Sequence, residues 1–344
     1  MYSMAALYRR RAHSSTGKPV VFCLRPHKAI IEMRIAKKMA EITSDEQWSG
    51  HNQEIKALTL EHHMAARRGG FGEFFEPLYE IKKYKTGLLD GTLSGVWFFS
   101  KQILPLVKSF QAKDKFAVAK IVKEYSPLIS NDTLKNSKSS LKEIRRADKA
   151  VKSLFSLWDN NSDPLLIDSL KSVAGSGLFE IPEIFLPIIS LSESSWNEGT
   201  PVELDQSRDS NPEIDAWSKA LSVPFSQLES YVKYISDESP FGTHQGIKGL
   251  QFPRVMVVLD DNEARGFMFS YDKLLGAKAP TTRDIKSEKE GKETSNDRTR
   301  RLFYVTCSRA QSSLAVVVYT KETDKIKGFL QNKKWFDDNE IIEM

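Results

Sequence analysis

Two segments of this 344-residue chain carry the groups best suited to chemistry. One is Thr243-His244-Gln245-Gly246-Ile247-Lys248-Gly249-Leu250-Gln251-Phe252. The other is Arg300-Arg301-Leu302-Phe303-Tyr304-Val305-Thr306-Cys307-Ser308-Arg309-Ala310. Each sets phosphate-competent polar groups beside an apolar, β-branched run, as expected where a loop meets a strand or helix of an α/β sheet. Lys248-Gly249 joins a cation to a residue that lets backbone approach a ligand closely. Arg309 offers a planar guanidinium, which can grip two phosphate oxygens at once; pairing with a nearby carboxylate is the alternative use. Thr243 and Gln245 read equally well as phosphate-backbone contacts or as loop caps.

Other motifs point elsewhere. No G-x-x-x-x-G-K-[ST] phosphate loop occurs: Gly17-Lys18-Pro19, Gly246-Ile247-Lys248 and Gly291-Lys292-Glu293 each fail the spacing or the final hydroxyl. Val255-Met256-Val257-Val258-Leu259-Asp260-Asp261 imitates a magnesium-binding strand, but without a phosphate loop upstream it reads as an ordinary strand with acids at its carboxyl end. Adjacent His62 and His63 point in different directions and have no partner cluster, so a helix-start or core role is preferred to a metal site. Cys307 has no histidine nearby and reads as a buried thiol. Arg67 and Arg68 read as a solvated helix end or as DNA contacts. Three consecutive aromatics, Trp97, Phe98 and Phe99, cannot share one helix face, which favours packing over a base-stacking platform.

The positioning elements follow from periodicity. Residues 19–24 read as a buried strand, Ile30 to Ile42 as a helix with apolar residues at 31, 35, 39 and 42, and Ile55 to Leu60 as a second strand. Glu61 to Arg68 reads as a helix stopped by Gly69-Gly70. Alternation of this kind implies parallel strands with helical crossovers. Ser44 to Gln53 reads as polar loop, and Asn131 to Ser140 as a linker. From Phe71 to about Pro240 the pattern is mainly helical: Ile103, Val107 and Phe110 share one face, and Asn211-Pro212-Glu213 has the form of a capped start. Strands return at Arg254 to Leu259 and Leu314 to Tyr319. Thr281 to Thr299, nearly devoid of apolar side chains, is expected to be a mobile loop. These readings divide the chain into an α/β domain over residues 1–70 and 241–344, interrupted by a helical insertion over 71–240.

Composition bounds the partners. Apolar residues make up 40% and charged residues 28%, ordinary for a globular protein. Two cysteines, Cys23 and Cys307, exclude a disulfide framework and suit a reducing, cytoplasmic setting. No apolar run approaches the ~18 residues of a membrane span. Net charge is only +5, but residues 1–70 carry 12 Lys/Arg against 6 Asp/Glu and residues 101–152 carry 13 against 5. Residues 153–240 carry 4 against 15. Polyphosphate binding needs local positive fields of that kind rather than a basic total.

Taken together, the two segments resemble the late motifs of UvrD/Rep-type superfamily 1 DNA helicases: T-x-H-x-x-K-G-L-E-F for the first, R-L-x-Y-V-x-x-T-R-A for the second. Leu58 to Arg68 likewise stands where that family has an A-x-L-x-R-x-x-x-x-S-R stretch. The resemblance implies an α/β, RecA-like (P-loop NTPase-like) second motor domain split by a helical subdomain. It implies an ATP-dependent, 3′–5′ DNA helicase of which this chain supplies the C-terminal part, with Walker A and Walker B on an N-terminal RecA-like half lying before Met1. Arg309 would be the arginine finger. Lys248, Gly249, Gln251 and Arg301 would face ATP and Mg²⁺, while Thr243, His244, Gln245 and Arg67 would face single-stranded or 3′-tailed DNA. Gln251 stands where the family has Glu. With Lys248 held fixed, the family histidine falls on Gln245; His244 fits only with a one-residue shift. A nuclease partner in DNA repair or anti-phage defence is suggested by the company such helicases keep. The rival expectation is an ATP-independent DNA- or partner-binding regulatory module, so the chain alone is not expected to hydrolyse ATP.

Overall fold

The computed structural model describes residues 18–24, 28–49, 54–137, 139–190, 211–247, 249–266 and 268–343. The chain divides into two units, residues 1–69 with 239–344, and residues 70–238.

In chain order the first unit begins with β1 (Lys18–Leu24), α1 (Lys28–Thr43), β2 (Lys56–Thr59) and α2 (His62–Arg68). The second unit contributes α3 (Gly72–Glu80), α4 (Leu104–Gln111), α5 (Lys115–Tyr125), α6 (Ser140–Phe155), α7 (Leu166–Ser176), α8 (Pro212–Leu221) and α9 (Phe225–Ile235), joined by shorter helical turns. The first unit resumes with β3 (Phe241–Thr243), β4 (Phe252–Leu259), α10 (Tyr271–Leu274), α11 (Thr282–Lys289), α12 (Ser295–Cys307), β5 (Ala310–Tyr319), α13 (Thr323–Lys333) and β6 (Ile341–Glu343).

Among the described residues the strands form one sheet in the order β3-β2-β4-β5-β1-β6, and every pairing is parallel. A parallel sheet needs both faces covered, so its inner strands are apolar on successive residues rather than alternate ones. β4 and β5 meet that demand. Val255, Val257, Leu259, Leu314, Val316 and Val318 pack on one face, against Leu302, Phe303 and Cys307 of α12 and Ile326 and Leu330 of α13. Met256, Val258, Ala315, Val317 and Tyr319 pack on the other, against Ile35 and Met39 of α1.

Two stretches differ from their sequence readings. Ser44 to Gln53 is not wholly solvent-facing: Trp48 is fully buried, and its indole Nε1 donates to Ser313 Oγ at 2.8 Å. Residues 281–299 form α11 and the start of α12 instead of an irregular loop. Polar bonding replaces apolar burial there. Thr281 with Asp284, and Thr294 with Asp297, make two reciprocal capping boxes. Asp284 also accepts from Lys273 Nζ and Ser295 Oγ, each at 2.7 Å, and from Thr281 Oγ1 at 2.6 Å. Burial works against the Asp284 carboxylate, but these bonds outweigh it and hold its pKa well below the usual range. Asn131 to Ser140 likewise contains a short helix, Asn131–Asn136, started by a Ser130 cap.

The helical unit packs around aromatics. Phe71, Phe74, Phe75 and Tyr231 form a cluster of ring contacts between α3 and α9, and the Tyr231 hydroxyl donates to Leu88 O at 2.5 Å. Phe98 and Phe99 are core residues as expected, whereas Trp97 is 40% exposed, edge-on to Tyr125.

Candidate functional site: the corner between Leu250 and Arg309

β4 and β5 lie side by side, and both key segments lead into their amino-terminal ends. Phe252 pairs with Ala310, so Leu250-Gln251 and Ser308-Arg309 are neighbours although about 60 residues separate them in the chain. The Phe252 amide donates to Arg309 O at 2.9 Å. Arg309 itself follows the last turn of α12. Its Nε donates to Val305 O at 2.8 Å, its Nη1 to Leu250 O at 3.2 Å and its Nη2 to Ser308 Oγ at 3.0 Å. The side chain is half-buried, its guanidinium stapling the helix end to the loop before β4. A guanidinium has five N–H groups. Three serve these bonds, and two are left for a ligand.

Around it the corner is open. Gln251 is exposed and accepts from Gln311 Nε2 at 3.2 Å. Gly249 has φ +86°, a left-handed conformation that a Cβ would strain, and open space surrounds it. Lys248 lies outside the described residues. Arg301 does not join the corner. It is exposed, ion-paired with Glu293, and sits about two helical turns, roughly 12 Å, before Arg309 along α12.

The segment's other end differs. β3 finishes at Thr243, beside Thr59 of β2, on the carboxyl edge of the sheet. Thr243 is buried, and its Oγ1 accepts from the Gly246 amide at 3.0 Å, which is a loop cap. His244, expected among the DNA contacts, is a core residue instead. It is fully buried, with Nε2 3.1 Å from Leu58 O and Nδ1 2.8 Å from the Tyr271 hydroxyl. A carbonyl only accepts, so Nε2 carries the proton and Nδ1 accepts from Tyr271. Burial drives the His244 pKa down to about 4, so the ring is neutral around pH 7. Sequence could not show this, because the satisfying groups lie 186 and 27 residues away. Gln245, the next residue, is exposed and remains the polar side chain of this turn that faces solvent.

Arg67 lies in neither place. With its side chain 48% exposed, it approaches Glu263 at 3.8 Å and lines a cavity of about 660 Å³ with Glu32, Ile55, Arg68, Phe241 and Met256. The Arg68 side chain is 10% exposed there, bound to Glu32 at 2.9 Å and to Glu263 at 3.1 Å. His63 is also buried, its Nε2 3.0 Å from Glu263 O. Cys307 is buried, and burial raises its thiol pKa far above the range in which a thiolate forms, consistent with packing. Asp260 and Asp261 stand at the carboxyl end of β4, where Asp260 Oδ1 accepts from the Asn262 and Glu263 amides and the two Asp261 oxygens accept from those of Tyr271 and Asp272.

Among the described residues no group of three His, Cys, Asp or Glu side chains is placed to hold a metal ion. No helix among them is long and apolar enough to cross a membrane. No protein-family model matches the chain. No curated protein matches it either.

Proposed function

We propose that this chain is the C-terminal part of an ATP-dependent, 3′–5′ DNA helicase of the UvrD/Rep type, with a RecA-like α/β unit that presents Arg309 to a nucleotide held by an N-terminal RecA-like half. The observation that carries the reading is the convergence of Leu250-Gln251 and Arg309 at one open corner. The resemblance requires that meeting, yet nothing local in either segment compels it. The wholly parallel sheet and the split of the α/β unit around a helical one are compatible with the same architecture.

The corner suits one flank of a triphosphate. Arg309 keeps two N–H groups for phosphate oxygens, Gln251 offers an amide to a ribose hydroxyl, and Gly249 permits close approach. Mg²⁺ fits less well, since among the described residues no acidic cluster accompanies Arg309, so in this reading the other half holds the metal. When bound, the nucleotide supplies the transferable phosphoryl group. The role of this chain is to set a cation against the charge that spreads over the phosphoryl oxygens during transfer.

The test is reconstitution. Mixed with a RecA-like half carrying a phosphate loop, the chain should give ATP hydrolysis that DNA stimulates, where neither component alone does so. Hydrolysis by the isolated chain, or none in the mixture, would count against the reading.

One observation favours a second reading. Three N–H groups of Arg309 already have internal acceptors, as befits a residue that merely braces the loop. In that case the chain is an ATP-independent DNA- or partner-binding module, and Arg309→Ala would lower its melting temperature while leaving partner binding intact.

A further inference from the structure

The helical unit holds a second site that owes nothing to the Arg309 corner. α4 and α6 end side by side, where the Phe110 ring stacks on Phe155 with centroids 3.6 Å apart and planes inclined by 14°. Phe155 is 3% exposed but Phe110 is 46% exposed, so a ring braced from behind shows the rest of its surface to solvent. Phe110 was expected to share the apolar face of Ile103 and Val107, and packing alone does not account for it. A cavity of about 340 Å³ opens there, lined by Phe110, Gln111, Trp158, Asp159, Asn161 and Ser162. That volume lies within the roughly 300–1,000 Å³ of small-molecule sites. Trp158 is steadied by the ring of Phe225, edge-on at 5.0 Å. Asn160 and Asn161, with φ of 59° and 58°, curl the chain into the polar wall opposite.

The pocket therefore offers fixed aromatic surface, one carboxylate, two amides and a hydroxyl. An apolar ligand would leave the polar wall unanswered. A planar heterocycle with neighbouring N–H donors would satisfy both, stacking on the rings while Asp159 accepts a pair of hydrogen bonds. The helices that end at the pocket are basic. α6 exposes Lys142, Arg145, Arg146, Lys149 and Lys152, the last paired with Asp148 at 2.7 Å, and Lys108 is exposed on α4. A free cation would be repelled by this rim, whereas phosphates would be drawn to it.

We propose that this pocket receives one unstacked guanine of a single-stranded nucleic acid, its N1–H and N2 amine on Asp159 and its flanking phosphates on Lys149, Lys152 and Lys108. The site goes beyond the helicase reading and depends on neither Arg309 nor nucleotide hydrolysis.

Fluorescence anisotropy of the full chain with a labelled thymine 12-mer bearing one central guanine, against an all-thymine 12-mer, tests it. The guanine strand should bind about fivefold more tightly or better, and Phe110→Ala should weaken it about tenfold, in line with one lost stacking contact. Phe110→Tyr, which keeps the ring, should restore binding, and thermal melts check that each variant is folded. Asp159→Asn should equalise the two strands, while Lys149→Glu with Lys152→Glu should weaken both and flatten the salt dependence. The same pair made as RNA identifies the sugar: a guanine preference on either backbone supports the proposal, and none on either overturns it. A folded Phe110→Ala variant with wild-type affinity also overturns it. The readout is the nucleic-acid affinity of the chain without ATP or any second RecA-like half, so failure of this site and failure of the helicase reading remain distinct.

Discussion

The two ends of the Thr243–Phe252 segment have similar compositions and opposite fates. At the Thr243–His244 end each polar side chain has an internal partner, one capping a turn and the other sealed between Leu58 and Tyr271. At the Gly249–Gln251 end the backbone is left-handed, the side chains are exposed and Arg309 stands beside them. Sequence marks both ends as ligand-competent. Burial separates them, making the first a fastening and the second a surface.

The largest effect expected from that contrast is at His244. Replacing it with Ala removes a buried ring and strands the Leu58 carbonyl and the Tyr271 hydroxyl, so urea unfolding should show a loss of about 3–4 kcal/mol. The same residue sets a pH window. Its pKa in the folded protein is depressed to about 4 from an ordinary value of 6.5, so the unfolded chain binds the extra proton first as pH falls. The stability it contributes is fully present above about pH 6.5 and is lost on acidification through about pH 4, a swing on the order of 3 kcal/mol. His244→Gln should flatten that part of the stability profile. An unchanged profile would mean that the ring is open to water after all.

Tyr271→Phe sharpens the comparison with less disturbance. It deletes only the hydroxyl that donates to His244 Nδ1 and should cost about 1–2 kcal/mol, measured as a shift of the denaturation midpoint. Gly249→Ala probes the other end. The strain of a side chain at φ +86° should cost about 1 kcal/mol, with no steric clash to add to it. Gln251→Ala should be smallest, within about 0.5 kcal/mol in the isolated chain, because an exposed amide bonded to another exposed amide contributes little. If Gln251→Ala proved as damaging as His244→Ala, the division into fastening and surface would be wrong.

Legibility followed the same divide between local and distant causes. The strand at Leu314 to Tyr319 could be read directly, because an apolar run between two covered faces is written in neighbouring residues. The helices over 281–299 were missed because their stability rests on capping boxes and on the bonds of Asp284 to Lys273 and Ser295 rather than on apolar periodicity. The repeated T-x-x-D pattern at Thr281 and Thr294 was the available sign. Trp48 was hidden inside a polar stretch, since its partner Ser313 lies 265 residues away. In the candidate site, the resemblance pointed to Arg309, Gly249 and Gln251, but it could not tell that Arg301 turns to Glu293 or that His244 faces inward. Phe110 went astray the other way, its helical spacing implying a core position that the end of α4 leaves half open.

The proposed function has Arg309 act on a triphosphate held by a separate RecA-like half. Its most direct measure is kcat for ATP hydrolysis by the complex of this chain with a phosphate-loop-bearing RecA-like half, compared between the wild type and a folded Arg309→Ala variant. The account predicts a fall of about a thousandfold or more in kcat, with KM changing far less. Equal kcat values in the two complexes would contradict it.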